Sequence, residues 1–517
     1  MTAPAPSQSD PDDLQILLTA HEAYPEFERL FLAARREVSM GFRIFDPATR
    51  LRSPEARRIG ETWLDLIQHG LRRGLRVTLV LTDFDPVAVP HDHRDSWASI
   101  RALIAAGELS GHPGHLRVRA AMHPARVGLG PRCLLWPRAW LELRATARDL
   151  NRLTPDQRHQ FLREAPRLRP YLQERRGRLR ARLWPIPQLA PATHHQKLAV
   201  FDRNTVYIGG LDLNERRYDT QRHDQEAAQT WHDVQLILRG TVAEQAALHL
   251  DTFEATAHGH PPPDLSQLLR TISRRRRWAA PFISPRPFLT ELAAAHVRLA
   301  GDARRLIYLE TQYFRDRHLA RHLARQARAE PGLGLILILP AAPEEVAFAD
   351  APGSESRFGE YLQARCLRII RRAFGARLFV GAPAQPRAYD TGDRTSLFGA
   401  PIVYLHSKVS IFDDRAAIVS SANLNGRSLY WDTEAGVLLT RPAQIVRLKR
   451  RCFAHWLGPD APDAFFAPAT AVQAWRQRAL QNAARPPVRR SGFILPYVTR
   501  PAWRFGRNLP GVPEEMV

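Results

Sequence analysis

Twice in this sequence a histidine stands two residues before a lysine and seven before an aspartate. The copies are His195-Gln-Lys197-Leu-Ala-Val-Phe-Asp202 and His406-Ser-Lys408-Val-Ser-Ile-Phe-Asp413. With uniform residue frequencies one such pattern is expected about 0.06 times in a chain of this length, so two copies are no accident of composition. Paired imidazole and ammonium groups suit a phosphate ester. The lysines hold its oxygens, one imidazole attacks phosphorus, and the other protonates the leaving oxygen, roles that one histidine cannot fill at once. A histidine-bound metal is the rival chemistry, but a lysine beside each histidine repels a cation and already supplies the positive charge. His195, Lys197, Asp202, His406, Lys408 and Asp413 are therefore the candidate catalytic set, with no metal and no other cofactor expected. Lysine occurs only at positions 197, 408 and 449, so 71 of the 74 basic residues are arginine. Retention of a compact ammonium at both motifs is informative in such a chain, because lysine and arginine are not interchangeable.

The elements that carry these residues read as strands. In HQKLAVFD and HSKVSIFD the histidine and lysine are two apart and share a face. Each strand turns into a second apolar stretch, TVYIGG or AAIVSS. Small residues end both, and Gly209-Gly210 and Ser420-Ser421 would let backbone N–H groups, and the hydroxyls of the second copy, approach an anion closely. A gapless shift of 211 residues also aligns Phe201 with Phe412, Leu213 with Leu424, Asn214 with Asn425 and Arg216 with Arg427, which marks an internal duplication. Helical patterns before the apolar runs RVTLVLTDF and LGLILILP make each copy an α/β unit. The expected organisation is a first repeat over 15–255, interrupted by an arginine-rich helical insertion at about 133–183, a linker over 256–288, a second repeat over 289–480 and an extended tail over 485–517.

The chain has 517 residues, 44% hydrophobic and 24% charged, which is ordinary globular usage. Cys133, Cys366 and Cys452 have neither disulfide-framework nor zinc spacing, which favours a reduced compartment. Apolar runs fall short of the roughly 18 residues of a membrane span, and the start MTAPAPSQSDPDD lacks the basic and apolar regions of a secretory leader. The expectation is a cytoplasmic or peripheral membrane protein, with export by a non-Sec route left open. A formal charge of +22 points to polyanionic partners such as lipid headgroups or nucleic acid.

With GGLDLNERRYD (209–219), TWHDV (230–234), LETQYF (309–314) and SSANLNGRSLYWDTEAG (420–436) beside the two HxKxxxxD motifs, the sequence resembles the phospholipase D superfamily, over about residues 15–480. The resemblance implies two αβα sandwich repeats in one chain, related by a pseudo-twofold axis at which the motif strands form one active site. It implies that His195 forms a phosphohistidine, that His406 is general acid and then base, and that Lys197, Lys408 and Asn423 hold phosphate oxygens, with Ser421 and Gly210 assisting. Asp233 and Glu434 are the candidates to orient the imidazoles through the nitrogen that does not react, Asp233 for His195 and Glu434 for His406. Asp202 and Asp413 are expected to brace the site. Two departures stand out: Ser420-Ser421 replaces the Gly-Ser of many members, and Asp212 is the register partner of Asn423.

The first functional expectation is a phospholipase D acting on phospholipid at an anionic membrane surface, as a monomer. The amphiphilic stretch CLLWPRAWLEL, with Trp136 and Trp140, is the candidate bilayer contact. A cardiolipin synthase-type phosphatidyltransferase is the alternative. A nuclease ranks lower, because the arginine runs 175–182 and 274–277 are not interleaved with base-stacking aromatics.

Overall fold

The computed structural model describes residues 14–348, 353–389 and 392–517, so most of the acidic, proline-rich start lies outside the described residues. The first half supplies β1 (Leu14–Leu18), β2 (Glu37–Phe42), β3 (Arg76–Thr82), β4 (Leu116–Ala121), a hairpin of β5 (Leu172–Arg175) and β6 (Arg178–Ala181), β7 (Leu198–Phe201), β8 (Thr205–Gly209) and β9 (Val234–Arg239). The remainder supplies β10 (Leu268–Arg274), β11 (Arg286–Thr290), β12 (Leu306–Thr311), β13 (Gly334–Ile338), β14 (Leu378–Pro383), the hairpin β15 (Ser396–Leu397) and β16 (Ala400–Pro401), β17 (Lys408–Phe412), β18 (Ala416–Ser420), β19 (Glu434–Leu439) and β20 (Ile494–Pro496).

The duplication is visible strand by strand. One sheet runs β1-β9-β8-β7-β2-β3-β4, and the other contains β10-β19-β18-β17-β12-β13-β14 with β11 and β20 added at its edges. In both, the motif strand is antiparallel to its neighbours on either side, β8 and β2 for β7, β18 and β12 for β17. Beyond them, β2-β3-β4 and β12-β13-β14 are parallel.

The two sheets face each other across one apolar core. Leu198, Val200, Val206 and Ile208 of the first and Val409, Ile411, Ala417 and Val419 of the second belong to a single buried cluster. Alternation sends their neighbours outward: Ala199, Phe201 and Tyr207 meet Phe27 and Trp63 of the first half's outer helices, while Phe412 and Ile418 meet Leu319, Leu323 and Leu367 of the second's. The outer helix Arg317–Ala329 is built for this, with Leu319, Ala320, Leu323, Ala324 and Ala327 on its buried face. Asp316 caps it by accepting from Leu319 N–H at 2.5 Å.

The motif aspartates lie at the far ends of their strands from the histidines. Asp202 accepts backbone N–H bonds from Arg35, Arg36 and Glu37 at 2.7–3.0 Å, and Asp413 accepts them from Arg304, Arg305 and Leu306 at 2.8–2.9 Å. Both adopt φ of +49°, a left-handed conformation that aspartate tolerates better than most residues. They tie each motif strand to the start of β2 or β12 and so brace the fold.

Two sequence-based readings differ. Residues 256–288, read as a linker, include β10, which holds in the second sheet the place of β1 in the first. The tail is not merely extended: β20 pairs with β14, and the helix Arg500–Phe505 follows it. Its apolar run FILPYV makes a short edge strand, with Pro496 at its end where a missing N–H costs least. The insertion consists of helices Leu129–Leu150 and Pro155–Glu164 and the β5–β6 hairpin, around a small core of its own that includes Leu143, Phe161 and Leu179. Arg176 and Gly177, both at positive φ, form the two-residue hairpin turn.

Asp413→Ala removes three charge-assisted bonds to partly buried N–H groups. Urea unfolding should show a loss of about 2–3 kcal/mol.

Candidate active site

Strand alternation delivers the motif side chains as the sequence suggested. Gln196 and Ser407, which separate histidine from lysine, turn the other way: Gln196 Oε1 meets His249 Nε2 at 2.6 Å, and Ser407 Oγ donates to Glu310. Lys197 Nζ donates to His195 O at 2.6 Å and lies 3.7 Å from Asp212 Oδ2. Lys408 Nζ donates to His406 O and lies 2.9 Å from His406 Nδ1.

The motifs meet because the strand ends pair across the repeats. His195 N–H donates to Thr433 O at 2.8 Å, and His406 N–H donates to His232 O at 2.8 Å. Each motif histidine is thereby set beside the carboxylate of the other half. His406 Nδ1 lies 2.7 Å from Asp233 Oδ2, and His195 Nδ1 lies 3.0 Å from Glu434 Oε1. The expected pairing of Asp233 with His195 and Glu434 with His406 is therefore corrected: the carboxylates cross. The charges also couple, His195 sensing Lys408 and His406 sensing Lys197 and His195.

Gly210 and Ser421 serve the carboxylates as they stand. Gly210 N–H donates to Val234 O at 3.3 Å, and a Cβ there would come 2.2 Å from Asp233 Oδ1. Only glycine lets Asp233 lie so close. Ser421 Oγ donates to Glu434 Oε2 at 2.5 Å, and its N–H donates to Ala435 O at 2.9 Å. Their expected role as phosphate donors gives way to this one, because the groups that would face an anion are already spent on protein. Asn423 Nδ2 donates to Gln312 Oε1 at 3.1 Å, while its Oδ1 has no partner among the described residues. Asp212 accepts from Ile44 N–H at 2.9 Å, which holds its carboxylate beside Lys197.

Burial sets the protonation states. It holds both motif imidazoles well below their usual range, and the lysine beside each pushes in the same direction. Burial also raises Asp233 and pushes Glu434 up to about 8, opposed by Lys408 and Lys197 respectively. Lys408 is brought down to about 7, again by burial, against the attraction of Asp233. The histidines rest neutral; Nδ1 of His406 is hydrogen-bonded to Asp233 and Nδ1 of His195 faces Glu434 Oε1, which leaves each Nε2 for chemistry. His195 keeps 15% of its side-chain surface exposed and His406 8%, so a ligand can reach the pair.

Known proteins resemble parts of this chain. The profile of the cardiolipin synthase, phospholipase D-like domain family matches residues 297–456. Phospholipase D A of Dictyostelium discoideum is 22% identical over 316 residues, covering 47% of this chain and 24% of that protein. Cardiolipin synthase 2 of Bacillus anthracis is 24% identical over 261 residues, covering 49% of this chain and 43% of that one. The chain belongs to the phospholipase D superfamily. It spans less than half the length of these two curated relatives. The superfamily fold extends over nearly all of it: the crystal structure of phosphatidylserine synthase from Haemophilus influenzae Rd KW20 covers 92% of this chain and 94% of its own, at a TM-score of 0.50 and 13% identity.

Several residues of this phospholipase D-type site were not singled out from sequence. Trp231 packs on the His406 ring with centroids 4.5 Å apart, and the Arg217 guanidinium lies over Trp231 at 4.0 Å. Gln312 positions Asn423, and Glu310 receives Ser407 beneath the second motif. TWHDV and LETQYF contain three of the four, but a block of letters does not say which member faces the site.

Lys408 generates a pH test. Above pH 7 it loses its charge, so affinity for sulfate, which stays a dianion, should fall at least about tenfold between pH 6 and 8.5 by calorimetry. Lys408→Arg should flatten that dependence, because a guanidinium stays charged.

Proposed function

We propose that the protein cleaves glycerophospholipid diesters through a phosphohistidine on His195, as a phospholipase D. The observation that carries this reading is the pair of crossed histidine–carboxylate contacts, each with a buried lysine beside it. Lys197 and Lys408, with Asn423, receive the non-bridging oxygens. His195 Nε2 attacks phosphorus while Glu434 accepts from Nδ1–H and stabilises the charge that develops on the ring. The bound diester adds a negative charge next to His406 and raises its proton affinity, so that His406 can protonate the leaving alcohol. It then takes a proton from the incoming water, which releases phosphatidic acid and frees His195. The lysines supply the positive charge that a metal supplies in other phosphodiesterases, so no metal is needed for turnover.

Transfer to a lipid hydroxyl in place of water is the second reading, favoured by the match of residues 297–456 to a cardiolipin synthase-type domain. A cleft of about 690 Å³ shares Arg43 and Arg217 with the surroundings of the histidines, and its walls combine Phe45, Phe84 and Leu81 with both signs of charge, the two arginines facing Asp46, Asp92, Asp95 and Glu344. Arg43 bears electrostatically on His195 and Arg217 on His406.

Docking on an anionic bilayer is supported by the surface of the insertion. Trp136 packs partly against the insertion's own core, and the exposed large apolar side chains include Leu134 in the insertion and Trp184 and Trp278 outside it, 82%, 73% and 82% exposed. Backbone bonds from Gly128 and Gly130 to Phe282 and Ala280, and from Val127 to Leu189, gather their segments. Arg175, Arg176, Arg178 and Arg180 stand exposed on the β5–β6 hairpin. Among the described residues no helix is long and apolar enough to cross a membrane.

A phospholipid panel scored for released headgroup and phosphatidic acid tests the reaction. Acid-quenched turnover of labelled lipid should leave alkali-stable label on His195; label confined to His406 would reverse the roles. Neutralising Arg175, Arg176, Arg178 and Arg180 should weaken binding to anionic vesicles and its salt dependence, while turnover of a soluble short-chain lipid is spared.

A further inference from the structure

Three imidazoles that the phosphate site does not use converge near the start of β9. One nitrogen from each of His223, His232 and His455 lies within 4.8 Å of the other two. His223 and His232 come from the segment between β8 and β9, and His455 from the last turn of the helix Pro442–Leu457, so the group spans both repeats. Their ring centroids are 4.4–5.6 Å apart. His223 Nε2 and His455 Nε2 are 3.0 Å apart. Two nitrogens bound to one ion at about 2.0–2.1 Å stand about 3.0–3.4 Å from each other, so this pair is already at ligand spacing.

The far sides of the rings are equally specific. His223 Nδ1 meets Asp219 Oδ2 at 2.6 Å, and that carboxylate is fixed in turn by Trp231 N–H at 2.7 Å and Gln225 Nε2 at 2.9 Å. His232 Nε2 lies 3.2 Å from Glu310 Oε1, while Tyr308 OH at 2.5 Å and Trp456 Nε1 at 2.9 Å donate to Glu310 Oε2. A carboxylate behind a histidine fixes its tautomer and raises its basicity toward a metal on the other nitrogen. His232 is 1% exposed, and among the described residues neither of its ring nitrogens has a hydrogen-bond partner, Nε2 having only the Glu310 carboxylate beside it and Nδ1 nothing. A hydrogen bond between His223 and His455 accounts for two of the rings and leaves His232 Nδ1 unanswered. His455, the one partly exposed member, offers a way in from solvent.

We propose that His223, His232 and His455 bind one divalent transition-metal ion of the zinc class, a clasp between the two repeats that is separate from the phosphate site. Three imidazoles suit zinc and cobalt, and the absence of a carboxylate among the ligands disfavours magnesium and calcium. The clasp would bear on the active site through the backbone. His232 N–H donates to Tyr404 O and its carbonyl accepts from His406 N–H, both at 2.8 Å, and the next residue is Asp233.

The test titrates the full-length chain, stripped with a chelator, with Co²⁺ and then Zn²⁺. One equivalent of Co²⁺ per chain should bind, with the visible absorption of a nitrogen-rich tetrahedral site, and Zn²⁺ should displace it and raise the thermal midpoint. His455→Ala should weaken binding at least about tenfold and abolish the thermal gain, whereas His260→Ala, at an exposed histidine outside the cluster, should change neither. X-ray absorption at the zinc edge of the wild type should show three imidazoles and needs no variant to fold. No stoichiometric binding by the wild type, equal binding by His455→Ala, or an all-oxygen shell would overturn the proposal.

Discussion

The site rests on two buried histidine–carboxyl contacts that cross from one repeat to the other. Asp233 holds His406 and Glu434 holds His195. A carboxylate removed from water needs a partner, and its cost falls on the fold when the partner is missing. Each repeat answers its own carboxylate only in part, Glu434 through Ser421 and Asp233 through Val234 N–H, and the second oxygen of each faces a histidine of the other half, so docking of the halves and assembly of the phosphate site are coupled. The shared core between the sheets supplies the apolar burial, and the crossed contacts supply its register.

The same burial prepares the chemistry. Two lysines and two histidines in one small space would repel one another if all were charged. Desolvation and mutual repulsion keep the imidazoles neutral and bring Lys408 down to about 7, while the carboxylates rise toward their protonated forms. An anionic diester entering this site finds cations it can pair with and imidazoles free to attack or to accept a proton. The need for an anion to complete the charge balance makes the site selective for phosphate before any headgroup is read.

Much of this was legible in the sequence, and what was missed has identifiable causes. Alternation in HQKLAVFD and HSKVSIFD placed histidine and lysine on one face, and the gapless shift of 211 residues revealed the repeat that the two sheets repeat strand by strand. Which carboxylate serves which histidine was read from sequence proximity, whereas the contacts run across the interface, and linear spacing holds no information about that. Gly210 and Ser421 were read as anion donors because small residues permit close approach; what approaches is Asp233 and Glu434. The strand β10 was hidden in a linker reading because arginines and prolines flank its short apolar run, and burial against β19 outweighs them. His223 and His455 carry no spacing signal at all, since the trio is assembled from both halves of the chain.

The crossing is tested most directly by the first chemical step on two substrates. Pre-steady-state bursts would be compared for phosphatidylcholine and for a phosphatidyl ester of p-nitrophenol, a leaving group that needs no proton. If Asp233 supports His406 as the general acid, Asp233→Asn should slow the natural substrate by about 10²–10⁴ and leave the p-nitrophenol burst nearly unchanged, while Glu434→Gln slows both. The opposite pattern, with Glu434→Gln sparing the activated ester and Asp233→Asn slowing both, would contradict the account.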